Sequence, residues 1–115
     1  MNIHVNSKRP ILISADGHCA FVTLKCGSHA VVDREDLERL IAERFPFNWF
    51  ELTDGQGNRY VGVRHPRLGN VVTVAREIMQ AARGEVISYR TPDKLDLRKS
   101  NLERRGGPAK RSLVG

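Results

Sequence analysis

A small α+β domain, an antiparallel sheet with one or two helices packed against it, is the fold class this sequence predicts. Three observations carry that expectation. Ile11-Leu12-Ile13 and residues 20–25 are apolar, β-rich runs on either side of Asp16-Gly17, a favoured hairpin turn pair. Leu37, Leu40, Ile41 and Phe45 recur at helical spacing within residues 34–45. Residues 47–52 and 58–64 read as strands joined through Asp54-Gly55-Gln56-Gly57, and a third follows at 70–74. At 115 residues the chain makes one small domain with a modest core.

Residues 1–10 are polar with little periodicity and end on Pro10, consistent with an arm or an edge strand. The first hairpin has its second turn near Gly27-Ser28. Asp33 is a natural N-cap for the helix, Glu35 and Asp36 favour its positive end, and Pro46 stops it. Its apolar face should form one core with Trp49 and Val61. Residues 75–83 read as a second helix with Ile78, Met79 and Ala82 at core spacing, terminated by Gly84. Residues 85–90 follow as a strand, Thr91-Pro92-Asp93 as a turn, and Leu95 and Leu97 pack under the loop. Residues 103–115, rich in Arg, Lys and Gly, lack periodicity and read as a flexible basic tail. The expected division is thus a domain over 1–102 and a tail over 103–115.

The formal charge of +6 is unevenly spread. Residues 1–82 carry ten Lys or Arg against nine Asp or Glu, whereas residues 83–115 carry nine against four. A basic block at one end of a domain is the footprint of a phosphate-binding surface, or else a solvated basic tail. No apolar run is long enough to span a bilayer, and the first residues do not open a signal peptide, so a soluble, cytoplasmic protein with no membrane partner is expected. Cys19 and Cys26, flanked by His18 and His29, have six residues between them. That is not a usual zinc-knuckle spacing, and buried or half-buried free thiols are the better reading. No P-loop, dinucleotide fingerprint or Ser/His/Asp arrangement is present, and no cofactor is expected.

The stretch over residues 71–102 carries one further pattern. Ala75-Arg76-Glu77-Ile78-Met79, Gly84, Val86-Ile87, Asp93-Lys94-Leu95-Asp96, Arg98 and Ser100-Asn101-Leu102 resemble the landmarks of the ββα finger of phage-type HNH homing endonucleases. Upstream, Ala30-Val31-Val32-Asp33-x-x-Asp36 resembles the Ala-Leu-Val-Asp-x-x-Asp opening that precedes the finger in such enzymes, with Trp49 near their tryptophan. The resemblance covers roughly residues 21–102 and rests on individually short motifs. It departs where the reaction would occur. Ala75 replaces the helix His, Ser88 and Tyr89 replace the Asp-His pair of metal ligand and general base, and Leu97 replaces an Asn. A serine hydroxyl is a weak Mg²⁺ ligand, and a tyrosine with a pKa near ~10 is mostly protonated at neutral pH.

The resemblance therefore implies a degenerate HNH-like protein of a phage or mobile element, acting in the host cytoplasm, with no catalytic or metal-binding residue left. Asn101 matches a family position that ties the loop together by side-chain hydrogen bonds. Double-stranded DNA is the expected partner, bound through phosphate contacts from Arg90, Lys94, Arg98, Lys99, Arg104 and Arg105. Any sequence preference would come from Arg59, Arg64 and Arg67, near which Tyr60 is interleaved; a solvated strand face accounts for these residues equally well. The alternative is an inhibitor or adaptor that engages a host nuclease, polymerase or defence complex.

Overall fold

The computed structural model describes residues 11–106. Among them β1 (Ile11–Ile13), β2 (Cys19–Thr23) and β3 (His29–Asp33) form an antiparallel meander. The register pairs Ile11 with Val22 and Val22 with Ala30. Strand alternation then buries Ile11, Ile13, Ala20, Val22, Ala30 and Val32 on one face and leaves Leu12, Phe21 and Val31 on the other. At the β1–β2 turn the Asp16 carboxylate accepts the Ser14 hydroxyl and the His18 amide.

The helix α1 (Arg34–Ala42) follows β3 without a break. Residues 29–33 thus run as the third strand straight into the helix. Asp33 sits at the N-cap position but makes no side-chain cap hydrogen bond; its carboxylate accepts the Lys99 amide at 2.9 Å instead. The helix also ends earlier than Pro46. Arg44 takes a left-handed φ of +71°, and the Phe45 amide donates to the Leu40 carbonyl at 3.0 Å, closing the helix as a Schellman motif does.

β4 (Phe50–Thr53), β5 (Arg59–Arg64) and β6 (Val71–Thr73) make a second antiparallel sheet in that order. β4 starts three residues later than the apolar run suggested, because the buried Trp49 donates its indole N–H back to the Pro46 carbonyl at 2.9 Å and holds a turn there. Gly62 is required by packing: a Cβ on it would lie 2.5 Å from Cδ1 of Leu52. The short helix α2 (Val74–Met79) ends at Gln80, φ +52°. It falls short of Gly84, and Ala82, expected in the core, is exposed.

β7 (Glu85–Tyr89) pairs antiparallel with β8 (Leu102–Gly106). Residues 103–106, assigned from sequence to the flexible tail, are therefore a paired strand. Their backbone is held by β7, and Leu102 supplies the buried anchor that polar Glu103-Arg104-Arg105 lack. The rest of the expected tail and the expected N-terminal arm or edge strand lie outside the described residues.

The fold is α+β as expected, but with three small antiparallel sheets and two short helices in place of one sheet. One apolar cluster joins them: Leu37, Leu40, Phe45, Trp49 and Val61 meet Val74, Ile78, Leu97 and Leu102, with Ile41 half-buried at its edge. No helix among the described residues is long and apolar enough to cross a membrane. Leu40 is 2% exposed. Leu40→Ala should lower stability by about 2–5 kcal/mol, read as a drop in the urea midpoint at unchanged slope; an unchanged midpoint would contradict this core.

Candidate nucleic-acid interface

The loop between β7 and β8 is fastened to the first sheet. The Val31 amide donates to the Leu95 carbonyl at 2.9 Å, and the Leu97 amide donates to the Val31 carbonyl at 2.7 Å. Asn101, buried, ties the loop to itself. Its carboxamide oxygen accepts the Thr91 amide at 3.0 Å and its nitrogen donates to the Asp96 carbonyl at 3.0 Å. The role the resemblance implied for Asn101 is thus present in the geometry.

Two of the expected phosphate-binding residues are taken up by this fastening. The Lys99 ammonium lies 3.1 Å from Oδ1 of Asp36, whose side chain is 3% exposed. Burial pushes the Asp36 carboxyl above its ordinary range, with Lys99 opposing the shift. Arg98 sets its guanidinium fork on Asp96 with two contacts of 2.8 Å, and those hydrogen bonds hold the Asp96 carboxyl below its ordinary value. Arg104 is likewise engaged. It reaches Glu85 at 3.7 Å and donates to the Met79 carbonyl at the end of α2, beside Arg39, which donates to the Glu77 and Ile78 carbonyls. These two arginines cap a helix C-terminus.

Another loop cation is placed differently. Lys94 extends its ammonium over two rings, 5.2 Å from the Tyr89 centroid and 5.7 Å from that of Tyr60, a cation–π arrangement. The two rings are 6.3 Å apart. Lys94 and Arg59 both line a groove of about 370 Å³ between β5 and the loop, with Asn58 on the same wall as Arg59 and with Glu51 and Asp93 as its acids. Arg59 reaches Glu51 at 3.5 Å, but it is 71% exposed, so the pair is weak. Arg90 and Arg105 approach the same carboxylate, Glu103, at 3.7 and 3.2 Å. One negative charge between two exposed guanidiniums leaves local positive charge.

The strand arginines do not converge. Arg59 and Arg64 open and close β5, about 17 Å apart at ~3.3 Å per residue, and their odd spacing sends them to opposite faces. Arg64 donates to the Gly69 carbonyl at 2.6 Å and closes the β5–β6 turn. Arg67 lies in that turn, its guanidinium without a hydrogen bond or ion pair among the described residues.

The positions that the resemblance matches to reacting residues fall in two environments. Leu97 is fully buried, and the Ser88 hydroxyl is buried without a partner. Ala75 and Tyr89 line one pocket of about 230 Å³ with Tyr60, Thr73 and Arg76. Burial, with Tyr60 nearby, pushes the Tyr89 phenol up to about 12. Among the described residues no group of three or more His, Cys, Asp or Glu is placed to hold a metal ion. Cys19 and Cys26 are free; Cys19 is half-buried as expected, whereas Cys26 is exposed in its turn.

Sequence reasoning missed the Tyr60–Tyr89 platform. Tyr89 stood out only as a replaced histidine, and no local signal shows that a loop lysine 34 positions beyond Tyr60 returns to cover it. No family model, curated protein or solved structure matches this chain.

Asn101→Ala leaves the Thr91 amide and the Asp96 carbonyl without their partner and should cost about 1–3 kcal/mol, with faster hydrogen exchange at Thr91; unchanged exchange there would remove Asn101 from the clasp. Asp96, whose folded pKa is lowered, contributes stability that is present above its unfolded value and lost as pH falls through its folded value. Asp96→Asn should therefore be less stable than the parent at pH 7, with the difference shrinking below about pH 4 in pH-dependent thermal melts. A pH-independent difference would break the link to this pair.

Proposed function

We propose that this protein binds double-stranded DNA through phosphate contacts and does not cleave it. The observation that carries the reading is the Lys94 ammonium over Tyr60 and Tyr89, in a groove that Arg59 also lines. Aromatic faces hold a cation in place without cancelling its charge, as a carboxylate would, so the charge stays available to a phosphate. Arg90 and Arg105, sharing one carboxylate, extend the basic surface along the hairpin. Arg98, Lys99 and Arg104 serve the fold first, which narrows the expected phosphate contacts to Arg90, Lys94 and Arg105; Arg59, expected from sequence to read bases, joins them as a fourth contact from the groove wall.

Descent from an HNH endonuclease of a phage or mobile element, acting in the host cytoplasm, is part of the same proposal. It is supported by the motif order over residues 71–102 and by the Asn101 clasp. A phenol titrating at about 12 stays protonated at neutral pH and is unsuited to activating water. Plasmid incubated with protein and Mg²⁺ or Mn²⁺ should remain supercoiled.

A second reading, an adaptor or inhibitor docking on a host protein complex, is favoured by Leu12 and Phe21. They are cross-strand partners on the outer face of the first sheet and remain 46% and 39% exposed.

Four phosphate contacts give an expected slope of about −3.6 in log K against log salt, or about two decades lost for a fourfold rise in salt. Lys94→Ala and Arg105→Ala should each flatten that slope by about one unit while the melting temperature stays unchanged. Anisotropy with a labelled duplex across a salt series reads both. Folded parent protein that fails to bind even at low salt, yet forms a nuclease-resistant complex with a host protein, would replace the DNA reading with the second one.

A further inference from the structure

Among the described residues, six glycines adopt a left-handed backbone: Gly17, Gly27, Gly55, Gly57, Gly69 and Gly84. Only two other residues do so, Arg44 at φ +71° and Gln80 at φ +52°. They end α1 and α2 respectively, at positions where glycine is sterically favoured. Both line one open cleft of about 690 Å³, bounded by the ends of the two helices and by the β5–β6 turn. The chain uses glycine at the other left-handed turns and carries a long polar side chain at each of these two. Non-glycine residues held in this region concentrate at functional sites.

Donors dominate what the cleft offers. The Arg44 and Arg67 guanidiniums make no hydrogen bond or ion pair among the described residues. His65 accepts the Arg67 and Leu68 amides on Nδ1, each at 3.1 Å, so the neutral ring carries its proton on Nε2 and presents a donor. The acceptors are mostly occupied. Arg39 pairs with Glu43 at 3.3 Å and covers the Glu77 and Ile78 carbonyls, the helix end that would otherwise repel an anion. That leaves two guanidiniums against the Glu77 carboxylate, a balance of one positive charge.

From this geometry we propose that the cleft binds a phosphate group through Arg44 and Arg67, with Gln80 and His65 as neutral donors. Its volume suits a ligand of mononucleotide size. The phosphate comes either from a small phosphate ester or from the backbone of DNA. The cleft shares no lining residue with the Lys94 groove, so it stands whether or not that groove binds DNA.

The test is an NMR amide titration of the full chain with inorganic phosphate, adenosine monophosphate and a short duplex, repeated on Arg44→Gly and Arg67→Ala. In the parent, at least one probe should shift the Arg44, Arg67 and Gln80 amides. Arg44→Gly should melt at the same or a higher temperature, because glycine relieves the left-handed backbone, yet bind that probe at least about tenfold more weakly, the loss expected for one charge-assisted contact. A structural role alone predicts neither half of that result. A response to adenosine monophosphate assigns the site to a small ester, and a response to duplex alone assigns it to the DNA backbone. Absence of shifts at these amides with all three probes, or parent-like affinity in both variants, would overturn the proposal. Lys94→Ala reports on the other groove and should leave these shifts unchanged.

Discussion

Val31 donates to Leu95 and accepts from Leu97, and on this pair of backbone hydrogen bonds the seating of the β7–β8 loop against the first sheet depends. The first sheet with its helix and the β7–β8 hairpin are far apart in sequence and share no ladder beyond this bridge. Once the bridge is made, Leu97 enters the core, the Lys99 amide reaches the Asp33 carboxylate, and the Lys99 ammonium reaches Asp36. Each contact needs the others. A carboxylate as buried as that of Asp36 is costly without its partner, and the loop that delivers the partner is shaped by Asn101.

The same economy governs the positive charge. A net charge of +6 suggests a surface built for anions, yet several of the cations complete the fold. Arg39 and Arg104 cap α2, Arg64 closes a turn, and Arg98 and Lys99 hold the loop. Arginine suits such work because its fork satisfies two acceptors at once. What separates them from the cations offered to a ligand is the partner. A buried carboxylate or a helix-end carbonyl keeps its donor, whereas an aromatic face or a solvent-exposed carboxylate leaves the charge accessible.

Much of the fold was legible because its signals are local. The Asp16-Gly17 hairpin, the apolar spacing of α1 and the β-rich run of β5 each depend on residues close in sequence. The failures have one cause in common. The Asp33 carboxylate was drawn from its helix by an amide 66 positions away, and β8 is a strand only because β7 lies beside it. Helix ends failed for a related reason: Pro46 and Gly84 are strong stop signals, but Arg44 and Gln80 stop the helices first in a conformation their side chains disfavour. For the candidate site, residue type was readable and placement was not. Arg59 and Arg64 look alike in sequence and face opposite sides of one strand.

That last distinction bears on how such a surface could recognise DNA. Cations fixed over aromatic rings or sharing a carboxylate form a diffuse positive field, suited to phosphates and indifferent to base sequence. Base readout requires several side chains entering one groove in register. β5 does not provide that, since its two arginines diverge and one is bound to the turn. On the proposed reading such a surface would hold DNA by its backbone, and selectivity would have to come from the shape of the duplex or from a second contact elsewhere on the molecule. The cleft at the helix ends differs from that surface in its cations, because the Arg44 and Arg67 guanidiniums have no partner among the described residues and the left-handed Arg44 is held there against local preference.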